Sequence, residues 1–195
     1  MRPAVFLDRD GTMIHDVGYL SRREDVRWFA WTMDAIRLLN RAGFVVCVTT
    51  NQGGIGLGFY DEQFVQDLHR EMSEVLAAGG GRVDGWYYCP HHPNAVIDGL
   101  RMECDCRKPK PGMIQRAVAE FPLDLARSYV VGDKIADVGL AGAVGAKGVL
   151  VRTGYGESEV RRFEGVVPGA AFVAPTLAEA ATWILVDAGF PKERA

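Results

Sequence analysis

The chain has 195 residues, 48% hydrophobic and 24% charged, with a net charge of −3. That composition suits one globular domain with a sizeable core. It lacks the lysine and arginine excess of a nucleic-acid binder, and it holds no apolar run long enough to span a bilayer. The opening "MRPAVFLDRDGT" meets acidic residues early and does not read as a signal peptide. A cytoplasmic location with reduced thiols is therefore expected.

In chain order, short apolar runs rich in β-branched and aromatic residues predict strands at 3–8, 43–50, 83–88, 128–133 and 147–153, with a last edge strand at 171–175. Their near-continuous apolarity predicts cover on both faces. Helical patterns lie between them. One spans 32–41, and one spans 60–78, where Phe64, Leu68, Met72 and Val75 share a face. A third spans 111–120, with Pro111 in its first turn, and a closing helix spans 177–188. The alternation predicts a doubly wound, Rossmann-like α/β fold, a mostly parallel sheet with helices on both faces. One monomeric domain over 1–195 is expected. Trp28, Phe29 and Trp31 read either as core and rim or as part of the entrance to a site.

In such a sheet, ligands bind beyond the carboxyl ends of the strands, where the chain order reverses. The residues that end the strands are Asp8, Arg9 and Asp10, then Thr49, Thr50 and Asn51, then Gly132, Asp133 and Lys134. In "DRDGT" two aspartates stand two positions apart, and Gly11 lets the chain turn. A lone pair of this kind is often only a solvated acidic turn. "VVGDKIADVG" adds Asp133 and, one helical turn on, Asp137. So many carboxylates at one edge would repel each other without a divalent cation, and Mg2+ suits a site shared with phosphate oxygens. Thr50, Asn51 and Lys108 supply hydrogen bonds and positive charge for a phosphoryl group. Asp8 is then the nucleophile that forms an aspartyl-phosphate, and Asp10 the general acid and base.

The segment "CPHHPNAVIDGLRMECDCRKPKPG" holds three of the four cysteines. Cys89-x-His91 and Cys104-x-Cys106 are two short ligand pairs joined by a loop, a spacing that suits tetrahedral Zn2+. A disulfide is disfavoured by compartment and by the closeness of Cys104 to Cys106. A catalytic thiol lacks an adjacent base. His91 rather than His92 completes the C-x-H pattern, and Cys47 reads as a buried small hydrophobe.

"FLDRDGT", "VTTNQ", the lysine of "RKPKPG" and "VVGDKIAD", in this order, resemble the haloacid dehalogenase superfamily of phosphatases. The resemblance implies Asp8 as nucleophile, Asp10 as acid and base, and Thr50 and Lys108 as phosphoryl stabilisers. It also implies Mg2+ held by Asp8, Asp133 and the backbone carbonyl of Asp10, with Lys134 in support. Contact between Asp137 and the metal stays open. "DVGY", "TNQGGIGLG" and the cysteine loop at 89–106 are similar to the heptose-1,7-bisphosphate 7-phosphatase and histidinol-phosphatase subgroup. That resemblance implies a structural Zn2+ that stiffens the loop carrying Arg107 and Lys108. It implies too that Asp16, Val17, Gly18 and Tyr19 line the leaving-group side near Asn51 and Gln52, with Arg107 meeting a more distant group of the substrate. The gap from 52 to 107 leaves no room for a large cap domain. The expected activity is Mg2+-dependent hydrolysis of a small phosphate ester: the 7-phosphate of heptose 1,7-bisphosphate, or histidinol phosphate or a related ester. A second catalytic domain is not expected. From another class, a non-catalytic phospho-ligand-binding zinc module would need no nucleophile.

Overall fold

The computed structural model describes residues 1–190, so 191–195 of the expected domain lie outside the described residues. Six strands form one sheet, β1 (Ala4–Leu7), β2 (Val45–Asn51), β3 (Gly85–Cys89), β4 (Tyr129–Gly132), β5 (Lys147–Val151) and β6 (Ala170–Ala174), in the order β3-β2-β1-β4-β5-β6. Every pairing is parallel, with Leu7 beside both Val48 and Val131. The chain winds outward from β1 through β2 to β3, then returns and winds the other way from β4. The switch point thus falls at the carboxyl end of β1, where Asp8 follows Leu7.

The helices are α1 (Thr32–Arg41), α2 (Glu62–Ala78), α3 (Gly112–Glu120), α4 (Ile135–Val144), α5 (Gly156–Arg162) and α6 (Leu177–Asp187). Val5, Leu7, Val46, Val48 and Val131 pack on one face against Ile36 and Leu39 of α1, Leu68 and Met72 of α2 and Ile184 of α6. Ala4, Phe6, Val45, Cys47 and Val130 pack on the other against Met113, Ile114 and Ala117 of α3 and Leu140 of α4. Cys47 is fully buried, as its apolar surroundings in the sequence predict. Asp61 caps α2 by accepting from the Phe64 N–H at 2.8 Å, so that helix begins two residues after the predicted start.

Two helices have no span predicted in advance, although the spacing of Asp133 and Asp137 already implies a helical turn. α4 and α5 follow β4 and β5 directly. The α4 sequence "IADVGLAGAV" is small and apolar nearly all round, so it shows no stripe at helical spacing. Trp28 and Trp31 pack against the core, with Phe29 stacked on Trp31 at 5.2 Å, which settles these aromatics as core and rim. Among the described residues, no helix is long and apolar enough to cross a membrane.

Candidate active site

Beyond the strand ends, a small inner pocket of about 50 Å³ is lined by Asp8, Asp10, Thr50, Asn51, Lys108, Lys134, Ala136 and Asp137. It opens toward a cleft of about 330 Å³ lined by Asp10, Asp16, Gly18, Tyr19, Asn51, Gln52, Tyr60, Arg107, Lys134 and Tyr155. Residues drawn from five separate stretches of the sequence meet there.

Asp8 is 5% exposed, and its backbone N–H is fixed by the Val131 carbonyl at 2.8 Å. Its Oδ1 lies 2.8 Å from Lys108 Nζ, which also reaches Asp137 Oδ1 at 2.6 Å and donates to the Thr49 carbonyl at 2.8 Å. Burial works against the Lys108 charge, yet Asp137 and Asp8 hold its pKa above the ordinary lysine value. Asp137 Oδ2 accepts from the Lys134 N–H at 3.1 Å. Asp137 thus pairs with Lys108 through Oδ1 and holds the start of α4 through Oδ2.

Ligand atoms of Asp8, Asp133 and Asp137 all lie within 4.8 Å of one another, all three buried. Asp133 Oδ2 accepts from the Tyr155 N–H at 2.8 Å, while Oδ1 is buried without a hydrogen-bond donor. Burial, then the charge of Asp8, pushes Asp133 up to about 8. An orphaned carboxylate oxygen beside a second carboxylate fits a divalent cation, which would let both ionise together. Space around Asp133 is tight. At Gly11, where φ is +82°, an added Cβ would stand 2.2 Å from Asp133 Oδ2.

Lys134 bridges the inner pocket to the cleft. Its Nζ donates to Asp16 Oδ2 at 3.2 Å and sits 4.4 Å above the Tyr155 ring. Asp16 Oδ1 accepts from the Gly18 N–H at 2.7 Å, which shapes the 16–19 loop. Val17 and Tyr19 are both 48% exposed on that loop, with Tyr19 packed on Phe59 at 4.5 Å. Tyr60 and Tyr155 were missed in the sequence. Each lies in a loop, and its place in the cleft comes from α2 and α5 beginning just after it.

Asn51 and Gln52 line the cleft, and their side chains also bond within the protein. Asn51 Oδ1 accepts from the Lys108 N–H at 3.0 Å and its Nδ2 donates to the Lys108 carbonyl at 3.4 Å. Gln52, 2% exposed, donates to Asp10 Oδ2 at 2.9 Å and to Thr50 Oγ1 at 2.8 Å.

The cysteine loop folds against α3. Cys89 Sγ lies 3.5 Å from Cys104 Sγ, Cys104 3.4 Å from Cys106, and His91 Nδ1 3.3 Å from Cys106 and 3.7 Å from Cys89. These four separations, with all four ligand atoms within 4.8 Å of one another, suit the ~3.5 Å edges that a tetrahedron of Zn–S and Zn–N bonds of ~2.3 and ~2.0 Å has, and are far above the ~2.05 Å of a disulfide. All four cysteines are free. Burial pushes the Cys89 thiol up, so a thiolate there needs a cation beside it. The cluster could therefore hold zinc. His92 instead accepts from the Asn94 N–H at 3.1 Å. Arg107 follows the cluster and donates to the His91 carbonyl at 3.0 Å.

Residues 105–180 match the HAD-hydrolase-like family model. The D-glycero-β-D-manno-heptose-1,7-bisphosphate 7-phosphatase of Rhodopseudomonas palustris is 44% identical over 147 residues, 75% of this chain and 82% of the relative. The D-glycero-D-manno-heptose-1,7-bisphosphate 7-phosphatase of Thermosynechococcus vestitus is 40% identical over 190 residues, 94% of this chain and 95% of the relative. A crystal structure of the D,D-heptose 1,7-bisphosphate phosphatase from B. bronchiseptica, complexed with magnesium and phosphate, superposes with a TM-score of 0.83 at 32% identity, covering 96% of this chain and 99% of that one. An uncapped parallel sheet with carboxylates at its switch point agrees with these likenesses. The chain belongs to the heptose-1,7-bisphosphate 7-phosphatase family of haloacid dehalogenase-like hydrolases, and it is a phosphoric monoester hydrolase.

Proposed function

We propose that the protein hydrolyses the 7-phosphate of D-glycero-D-manno-heptose 1,7-bisphosphate through an aspartyl-phosphate on Asp8. The observation that carries this reading is the two-part site. An inner pocket holding Lys108 and Lys134 is sized for one phosphoryl group, and the cleft beyond it is lined by a further cation, Arg107. A guanidinium suits the remaining phosphate of a bisphosphate. The relatives named for that substrate point the same way.

Asp8, Asp133 and the Asp10 carbonyl would hold Mg2+, which when bound offsets charge on the transferring phosphoryl oxygens. Lys108 and Thr50 orient that group. An Asp8 carboxylate oxygen attacks phosphorus as the P–O bond to the sugar breaks. The departing oxygen takes its proton from the Asp10 carboxylic acid, leaving the Asp10 carboxylate. That carboxylate then removes a proton from water, which attacks phosphorus, breaks the Asp8–phosphate bond and releases inorganic phosphate. Asp16, Val17, Gly18 and Tyr19 bound the leaving-group side, with Lys134 between them and the phosphoryl pocket. Zn2+ at Cys89, His91, Cys104 and Cys106 has a structural role. The enzyme acts as a cytoplasmic monomer on a small phosphate ester.

Rates on heptose 1,7-bisphosphate, its monophosphates, histidinol phosphate and simple sugar phosphates, with and without Mg2+, test the reading. The bisphosphate should have the highest kcat/KM, and activity should vanish without Mg2+. Faster turnover of histidinol phosphate would move the substrate; no turnover of any ester would end the enzymatic reading. Asp8→Asn should abolish turnover.

A further inference from the structure

One buried cation has no part in the chemistry so far. Arg9 is 1% exposed, although it stands between the nucleophile and the acid–base residue. Consecutive side chains on a strand point to opposite faces. Here β1 ends at Leu7, and the chain turns so that the Arg9 carbonyl accepts from the Met13 and Ile14 N–H groups at 2.9 and 3.1 Å. The turn lets the Arg9 guanidinium fold onto its neighbour. Nε and Nη2 lie 2.9–3.2 Å from both carboxylate oxygens of Asp10.

Three further side chains hold that fork from behind. Arg9 Nη2 donates to Gln52 Oε1 at 3.0 Å, and Tyr60 donates to the same oxygen at 2.9 Å. Arg9 Nη1 lies 3.2 Å from His69 Nε2, which can only accept from a guanidinium. His69 is itself wedged against Trp86 at 4.5 Å. With its two bonds to Asp10 and Thr50, the Gln52 amide has both acceptor sites and both donor hydrogens in use. It has nothing left to offer a substrate.

We infer that Arg9 and Gln52, backed by Tyr60 and His69, are positioning residues that fix the Asp10 carboxylate and couple it to Thr50. Oδ2 receives Gln52 as well as the fork, so Oδ1 is the oxygen left to exchange the proton with the leaving group and with water. One amide thereby ties the residue that handles the proton to one that handles the phosphoryl group. A buried guanidinium is costly unless well paired, and this one is paired where chemistry needs a fixed carboxylate. The inference rests on the phosphatase reading above and concerns which residues serve Asp10.

Gln52→Met and Tyr60→Phe test it in the full chain with Mg2+, on heptose 1,7-bisphosphate and on 4-nitrophenyl phosphate, with melting curves as the folding control. The sugar leaving group needs a proton, whereas nitrophenolate leaves without one, and attack by water needs Asp10 in both cases. For Gln52→Met, kcat on the bisphosphate should fall about 10–100-fold with KM within about twofold of wild type. On 4-nitrophenyl phosphate the same variant should release a burst of nitrophenolate equal to the enzyme present, because phospho-Asp8 accumulates. Tyr60→Phe should show the same pattern, weaker, and it decides the matter if Gln52→Met does not fold. A rise in KM with kcat intact would make Gln52 a substrate contact and overturn the inference. So would equal losses on both esters without a burst, or a folded Tyr60→Phe indistinguishable from wild type. Wild-type protein inert toward both esters would instead overturn the phosphatase reading itself.

Discussion

Lys108 Nζ lies 2.8 Å from Asp8 Oδ1 in an ion pair whose two side chains are 3% and 6% exposed. The same ammonium holds Asp137 at 2.6 Å, so a single cation separates two buried carboxylates. Lys108→Met leaves both facing each other, and breaking a buried pair costs about 3–5 kcal/mol. Turnover should fall by about 10²–10³-fold, the scale for losing one electrostatic stabiliser. Adding Asp137→Asn should restore stability in a urea titration without restoring phosphate release, which separates the two roles of Lys108.

Gly11→Ala should be more damaging than its size suggests. The residue has φ +82°, and a Cβ would stand 2.2 Å from Asp133 Oδ2. A non-glycine residue at such φ costs about 1–2 kcal/mol, and the clash displaces the carboxylate expected to bind Mg2+. The Mg2+ concentration for half-maximal activity should rise at least about tenfold, a shift of about 1.4 kcal/mol in binding. An unchanged Mg2+ requirement would show that Asp133 is not a ligand.

Loss of zinc should act on the substrate side. Arg107 is tied to the His91 carbonyl, so the loop's order places that cation, whereas Lys108 is held mainly by Asn51, Asp8 and Asp137. In Cys106→Ser, elemental analysis should find zinc well below one equivalent. Its kcat/KM on the bisphosphate, with Mg2+ saturating, should fall about 10–100-fold. Zinc-free protein with wild-type kinetics would contradict the structural role.

His69 should make stability depend on pH. Burial, and then the charge of Arg9, lowers its pKa from 6.5 to about 2. Below the unfolded value the unfolded chain takes up a proton that the folded chain refuses. Stability is therefore complete above pH 6.5 and is lost as pH falls toward the folded value, at about 1.4 kcal/mol per pH unit for this group. His69→Gln keeps an acceptor for Arg9 and should reduce the slope of unfolding free energy between pH 6.5 and 5 by about that amount. An unaltered slope would place a charged histidine in the folded state.

The strand runs, the order of the motifs and the C-x-H and C-x-C pairs were legible because each is a local pattern of period, spacing or composition. That is why α1 matches its predicted span of Thr32–Arg41, and why the clustering of Asp8 with Asp133 and of Cys89, His91, Cys104 and Cys106 could be expected in advance. α4 escaped because a helix packed closely among its neighbours needs small residues rather than an apolar stripe. Who touches whom was also hidden. The resemblance places Asn51 and Gln52 near the leaving-group side, and both do line the cleft. That Asn51 also binds the Lys108 backbone and Gln52 joins Asp10 to Thr50 was not legible. Sequence determined which chemical groups stand at the strand ends. Only the tertiary structure decided their partners, because hydrogen bonds between residues dozens of positions apart depend on how the sheet, α2 and the cysteine loop converge at the end of β1.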